Sequence, residues 1–372
     1  MSKHRVCING MTENEQIRGP VRYIYEIASN MPTSNFDVYL VAGVWQKSIY
    51  ESLENKVTVI YFDINRSKIS RALFCFLYMP FLLSKYEINI YHIPDTNPFP
   101  LFKFNTKVIS TIHDCAEYII PHRFSVVQAF YRKVISRIQA KLSDSIITVS
   151  ESSSNDIMKY HNIAKNKISM IYNGITKLVS EKVESPDCAV LSDNDFSYIL
   201  YVGVLEKEKN VERLVEAFSI LDESVRKNTK LYLVGKKGNA YQDIIDVIEK
   251  YSIQNDVVVF GYVDDKELKS LYENALIFAY LSEYEGFGLP ILEAMQYGIP
   301  VLTSNKSSLK EIAGDAALLS ETSVAEIKNN LSLLLVDEQA RINFSHKGLS
   351  KTKEFSWLKA AEDTELLYCD LI

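Results

Sequence analysis

Cysteine is scarce and scattered: Cys7, Cys75, Cys115, Cys188 and Cys369 are odd in number and never form a CxxC pair. This excludes a disulfide framework or a cysteine-rich zinc site and fits free thiols in a reducing compartment. Long apolar runs are missing too. The longest, ALFCFLYMPFLL at 72–83, has 12 residues and contains Pro80. A bilayer span needs roughly 20 residues in helical form, so the run reads as a core helix, the alternative being a dip into the membrane interface. The opening residues, MSKHRVCINGM, lack the apolar centre of a signal peptide. There is no dense basic stripe with interleaved aromatics, so nucleic acid is not an expected partner. No internal repeat or low-complexity tract is present.

What remains is the composition of a soluble enzyme, 47% hydrophobic and 24% charged. A chain of 372 residues exceeds the size that one core usually serves, so two domains are expected. The net charge of −6 is uneven. Residues 1–185 hold 22 Lys and Arg against 16 Asp and Glu, which leaves 19 against 31 for the rest. A basic N-terminal half suits an anionic partner such as a lipid head group.

Strand and helix patterns alternate along the chain. HRVCING, FDVYLVAG, KVTVIYFDI, INIYHIP, KVISTIHD and SIITVS are strand candidates, with helical stretches between most of them. ISMIYNGI leads into TKLVSEKVESPDCAVLSDND, a polar linker without periodicity. A second series runs through YILYVGVL, TKLYLVGKK, NDVVVFGYV and ALIFAYLS and closes at IPVLTS. Two such series predict an α/β fold of two Rossmann-like doubly wound domains with an interdomain cleft. The boundaries are 1–180 and 190–355. The tail EFSWLKAAEDTELLYCDLI reads as a helix at about 356–372 that packs back on a core through Trp357, Ala361, Leu366 and Leu367.

Within the second series, EYEGFGLPILEA at 284–295 reads as a glycine loop entering a helix. Glycine lets a ligand approach the backbone closely. Pro290 suits the first helical position, and Gly298 with Pro300 ends the helix. Free N–H groups at a helix start favour an anion. Carboxylates are natural partners of vicinal hydroxyls. Glu285 and Glu293 are therefore expected to bracket a phosphate-bearing ligand without facing its phosphates.

These segments resemble the retaining glycosyltransferases of family 4, which have the GT-B fold. The resemblance rests on EGFGLPILE (285–293), a Glu-x7-Glu signature, followed by AMQYGIPVLTS. GPVRYI, STIHD, ITVSESSSNDI, IYNGI, VGVLEKEKNVERLVEAF, LVGKKG and SSLKEIAGDAALL follow in family order. Among its members, bacterial mannosyltransferases of surface polysaccharides look most alike.

The resemblance implies a nucleotide-sugar donor, with Glu293 at the ribose hydroxyls and Glu285 beside the transferred sugar. The backbone of Gly286, Phe287, Gly288 and Leu289 would meet sugar hydroxyls or the diphosphate. Lys209, with Asn210 next to it, would hold the diphosphate and stabilise it as it leaves. His113 would touch the donor sugar, Asp114 would orient its loop, and Gly19 lies on a loop near the diphosphate and acceptor. One family feature is missing: the usual arginine positions hold Val204 and Glu208. Lys207 or Lys236 would have to substitute.

Two acidic patterns are not read as sites. DND at 193–195 has the spacing of a metal-binding Asp-x-Asp but sits in the linker, and VDDKEL at 263–268 reads as a helix cap. RFSVVQAFYRKVISRIQAK at 123–141 is a basic amphipathic helix. Such a helix either lies on an anionic membrane surface or packs on its domain with its charges in water.

The resemblance thus implies a retaining hexosyltransferase that needs no metal or other cofactor. It would carry mannose from GDP-mannose to a glycan or lipid-linked saccharide in bacterial surface polysaccharide (O-antigen) synthesis. Its place would be the cytoplasm or, peripherally, the inner face of the cytoplasmic membrane. The alternative is a degenerate GT-B subunit that binds without turnover.

Overall fold

The structure, a computed structural model, describes residues 3–17, 19–176 and 196–372. Most of the polar linker, with Cys188 and the DND triplet, lies outside the described residues. The chain forms two compact units, Met1–Gly174 with Phe355–Ile372, and Ile175–Glu354.

The first unit is built on β1 (His4–Asn9), β2 (Phe36–Gly43), β3 (Thr58–Phe62), β4 (Ile90–Ile93), β5 (Lys107–Thr111), β6 (Ser145–Thr148) and β7 (Ile168–Met170). They form one parallel sheet in the order β3-β2-β1-β4-β5-β6-β7. Every residue of β4 is buried, as expected of a central parallel strand covered on both faces.

The helix Pro20–Asn30 covers one face, burying Val21, Tyr23, Ile24, Ile27 and Ala28 at three- and four-residue spacing. Fully buried Ile24 and Ile27 each contribute about 1.5–3 kcal/mol over exposure. Against this helix packs Trp357–Leu371, whose buried stripe is Trp357, Ala360, Ala361, Thr364 and Tyr368. Of the tail residues singled out in the sequence, Trp357 and Ala361 are buried and Leu367 is partly so. Leu366 is instead exposed, because the stripe advances from Thr364 to Tyr368.

The second unit repeats the plan with β8 (Ser197–Val202), β9 (Thr229–Val234), β10 (Val257–Gly261), β11 (Ile277–Tyr280), β12 (Val301–Ser304) and β13 (Leu318–Ser320). Their order is β10-β9-β8-β11-β12-β13, again all parallel. The sequence reading closed this series at IPVLTS and missed β13. It also read no strand at β7. Each has three residues at a sheet edge, too few to show a period of two.

The run 72–83 differs from a plain core helix. It passes from the helix Lys68–Leu73 through a π-helical turn, Phe74–Tyr78, into Met79–Lys85. Pro80 has no N–H to give the carbonyl four residues back. That carbonyl, on Phe76, accepts instead from the Leu101 N–H at 2.9 Å. Only one face is buried (Phe74, Cys75, Met79, Leu82, Leu83), while Phe76, Leu77, Tyr78 and Phe81 face solvent.

Candidate active site

In each sheet the order reverses at one place, between β1 and β4 in the first unit and between β8 and β11 in the second. Ligands of open α/β sheets bind beyond the strand ends at such a point. The expected site residues sit on these loops. Gly19 follows β1, and His113 follows β5, the neighbour of β4. Lys209 and Asn210 follow β8, and Glu285–Leu289 follow β11.

In the second unit the structure brings Lys209 and Glu285 together. The Lys209 ammonium donates to Glu285 Oε1, and the Tyr280 hydroxyl donates to the same oxygen at 2.7 Å. Both partners are mostly withdrawn from water, with side chains 8% and 17% exposed. Burial by itself raises the Glu285 carboxyl. The Lys209 charge and hydrogen bonds from Lys209, Tyr280 and Ser282 outweigh it and hold the group below the usual carboxylate range. Glu285 is therefore an anion at neutral pH, fixed in place.

Its backbone is fixed as well. The carbonyl of Glu285 accepts from Ser307 Oγ at 2.7 Å and Ser308 Oγ at 2.8 Å, and its N–H donates to Ser307 Oγ at 3.3 Å. The loop then passes Gly286, buried Phe287 and Gly288 into the helix Leu289–Gln296, with Pro290 in its first turn. Gly288 has φ +103°, and a Cβ there would lie 2.6 Å from Leu309 Cδ2. Only glycine fits both conditions. Glu293 sits on that helix and accepts from Tyr272 Oη at 3.2 Å. Burial first, then the Glu293 charge, pushes the Tyr272 phenol well up.

Asn210 does something the sequence did not suggest. In the left-handed conformation (φ +53°) it precedes the helix Val211–Ser219, and its amide donates to the Leu281 carbonyl at 2.8 Å and to Glu283 at 3.0 Å. Glu283 also accepts from Thr322 Oγ1 at 2.7 Å, from Lys306, and pairs with Arg213 at 3.5 Å. Burial would raise its carboxyl, but Lys306, Thr322 and Asn210 together hold it low. Loops after β8, β11, β12 and β13 thus converge on Glu283, which carries Lys209 and Glu285 into register. Sequence reasoning missed Tyr280, Glu283, Lys306 and Thr322. Their meeting depends on strand order, and only the placement of Tyr280 at a strand end was a local signal.

Of the proposed substitutes for the missing arginine, Lys207 is exposed and pairs with Asp243 at 2.9 Å. Lys236 stands over the Tyr262 ring, 5.8 Å from its centroid. Val204 is exposed and Glu208 buried. Asp264 caps the helix Asp265–Glu273 by accepting from the Glu267 N–H at 2.8 Å, as its sequence suggested. Among the described residues, no group of three or more His, Cys, Asp or Glu is placed to hold a metal ion.

In the first unit, His113 Nε2 lies 2.9 Å from the Pro94 carbonyl. A carbonyl only accepts, so Nε2 carries the proton and Nδ1 is the ring's open position in the neutral form. The ring meets Tyr23 edge-on at 4.9 Å. Asp114 accepts from the Ala116 N–H at 2.9 Å and shapes the loop. Gly19 is exposed at the cap of Pro20–Asn30. Behind Tyr23 runs a buried polar chain: Tyr23 to Thr111 (3.0 Å), Thr111 to His92 (2.7 Å), His92 to Tyr368 (2.7 Å). Burial, with help from His113, lowers the His92 imidazole to about 3.

This double, all-parallel architecture is shared with solved glycosyltransferases. The structure of Anabaena Alr3699/HepE in complex with UDP and glucose matches with a TM-score of 0.73 at 16% identity, over 99% of this chain and 100% of that one. WaaG, a glycosyltransferase involved in lipopolysaccharide biosynthesis, matches at 0.72 and 16%, over 96% and 98%. At such identities the likeness shows the fold, which is GT-B. Sequence comparison narrows the class. The family model described as Glycosyltransferase Family 4 matches residues 17–177, and that described as Glycosyl transferases group 1 matches 189–351.

O-antigen chain mannosyltransferase B of Escherichia coli is 31% identical over 291 residues, 76% of this chain and 74% of that protein. The serotype-specific mannosyltransferase WbdA of Escherichia coli is 26% identical over 268 residues, 68% of this chain but 32% of its own length. The chain belongs to glycosyltransferase family 4, alongside bacterial O-antigen mannosyltransferases.

Proposed function

We propose that this glycosyltransferase moves mannose from GDP-mannose to a glycan or lipid-linked saccharide in bacterial surface polysaccharide synthesis, with retention and without a metal. It would work in the cytoplasm, at or near the inner membrane face. The donor reading rests on the relatives, which are named mannosyltransferases. The observation that carries the chemistry is the anionic, buried Glu285 carboxylate, fixed by Lys209 and Tyr280 at the head of a glycine loop that enters a helix. A fixed carboxylate binds sugar hydroxyls. The adjoining lysine and the positive end of the helix Leu289–Gln296 favour the diphosphate and, more strongly, the charge it gains as the glycosidic C–O bond breaks. Glu293 would take the ribose hydroxyls. His113, held by its Nε2 contact with the Pro94 carbonyl, would meet a hydroxyl of the sugar with its ring. No side chain need act as general base if the departing phosphate takes the acceptor's proton.

The test is transfer from GDP-mannose by the purified chain in EDTA, with the product anomer read by NMR. Glu285→Ala should nearly abolish transfer while the protein stays folded. Wild-type turnover in that variant, or an inverted product, would discard the assignment. Val204 and buried Glu208, where the family usually has an arginine, favour the second reading of a binding subunit without turnover. It predicts donor binding but neither transfer nor slow donor hydrolysis.

A further inference from the structure

The first unit exposes large apolar side chains in three segments. Val126 (87% exposed) and Phe130 (71%) stand on the helix Val126–Leu142, Ile69 (74%) and Phe81 (66%) on the run around the π-turn, and Phe102 (58%) on the loop after β4. These segments adjoin one another. The Leu101 N–H binds the Phe76 carbonyl, and the Tyr131 hydroxyl lies within electrostatic range of Arg71 and Cys75. A contiguous apolar surface of this kind on a folded unit marks an interaction site.

Charge selects the occupant. Residues 64–86, 96–113 and 118–143 contain 11 Lys and Arg and no Asp or Glu. From outside these spans Glu13, Glu15, Glu117 and Asp144 pair with their Lys and Arg, and Asp95 accepts from the Thr96 N–H. The surface keeps a positive excess, so two copies of it would repel. Its five named apolar side chains are each more than half exposed. Protruding aliphatic and aromatic groups interleaved with Lys and Arg match a bilayer interface whose head groups are anionic.

We propose that these three segments together form a docking surface for an anionic lipid bilayer. The helix Val126–Leu142 is one part of it, and the run around the π-turn Phe74–Tyr78 is the second. The inference concerns where the enzyme sits, not what it transfers, so it can fail while the transfer reading stands.

The test is co-sedimentation of the full chain with vesicles of phosphatidylglycerol and phosphatidylethanolamine, compared with phosphatidylcholine alone, at low salt. Binding should be at least ~10-fold tighter on the anionic vesicles and should fall with added salt. Val127→Ser/Phe130→Ser and, separately, Ile69→Ser/Phe81→Ser should each weaken it by ~10-fold or more. Folding is checked by tryptophan fluorescence, since Trp45 and Trp357 both lie in this unit. Equal recovery on phosphatidylcholine, or no binding at all, overturns the proposal. So does wild-type binding by the Ile69/Phe81 variant, which would leave the single helix as the anchor. A wild-type dimer that these substitutions dissolve would make a second copy the occupant and also overturn it.

Discussion

Replacing Lys209 with methionine isolates what the Lys209–Glu285 pair contributes. The substitution keeps the length and apolar body of the side chain but removes the charge. It leaves Glu285, 17% exposed, with Tyr280 and Ser282 as its remaining side-chain donors. Removing one partner of a buried ion pair costs about 3–5 kcal/mol, because the other charge stays desolvated. For a unit of this size that corresponds to a melting shift of roughly 6–20 °C. Both tryptophans belong to the first unit, so tryptophan fluorescence will not see the loss. The assay is circular dichroism, with fluorescence as the internal reference.

The pH dependence follows from the direction of the shift. In the wild type the Glu285 carboxyl is held low. Its stabilisation is therefore present above the unfolded value of about 4.3 and lost as pH falls through the folded value. In Lys209→Met burial is opposed only by the Tyr280 and Ser282 hydrogen bonds and raises the folded value, so the penalty is present at neutral pH and fades on acidification. The gap between variant and wild type should be wide at pH 8 and narrower at pH 5.5. Adding Glu285→Gln should recover about 2 kcal/mol as a non-additive term. Lys207→Met, which breaks an exposed pair, should leave the transition in place. If the Lys209 and Glu285 variants add simply and the gap ignores pH, the pair is not desolvated and the reasoning fails.

Tyr368→Phe removes the partner of His92 Nδ1 and should lower stability by about 1–3 kcal/mol; an unchanged urea midpoint by tryptophan fluorescence would contradict the buried chain. Because His92 titrates at about 3 when folded, protons favour the unfolded chain from about pH 6.5 downward. Its contribution falls by up to about 1.4 kcal/mol per pH unit, and His92→Gln should flatten that slope. Gly235→Ala would put a Cβ 1.8 Å from the Gly203 carbonyl oxygen, backbone against backbone. A loss of about 3 kcal/mol, at the upper limit of overpacking, is expected in the dichroism transition of the second unit. Among GDP, UDP, ADP and CMP, one nucleotide should raise the melting temperature, with or without EDTA; at 100 times its dissociation constant the gain is about 2.7 kcal/mol.

Among the described residues, all eleven strands of four or more residues were visible as separate apolar runs between turn signals, including Thr58–Phe62 and Val257–Gly261, which are mostly half-buried. The edge strands Ile168–Met170 and Leu318–Ser320 are too short to carry that signal. The glycine loop and helix start at 286–296 were legible locally, from Gly288, Pro290 and Gly298. The Glu283 cluster was not, since Asn210, Lys306 and Thr322 meet it only through the order in which strands pair. The exposed half of ALFCFLYMPFLL was hidden for another reason: hydrophobicity says that a residue can be buried, not which face the π-turn presents.

The helix Trp357–Leu371 completes the first unit although nearly half the chain is made between them. During synthesis, residues 1–174 emerge with an open place where Trp357 and Tyr368 will later pack against Phe36 and Tyr23. That place stays apolar, with His92 Nδ1 still wanting the Tyr368 hydroxyl, while the whole second unit is translated. The second unit, continuous in sequence, can finish first. The order of maturation on the ribosome is then inverted relative to the order of synthesis, and a chain stalled before residue 357 holds a finished second unit beside an incomplete first one.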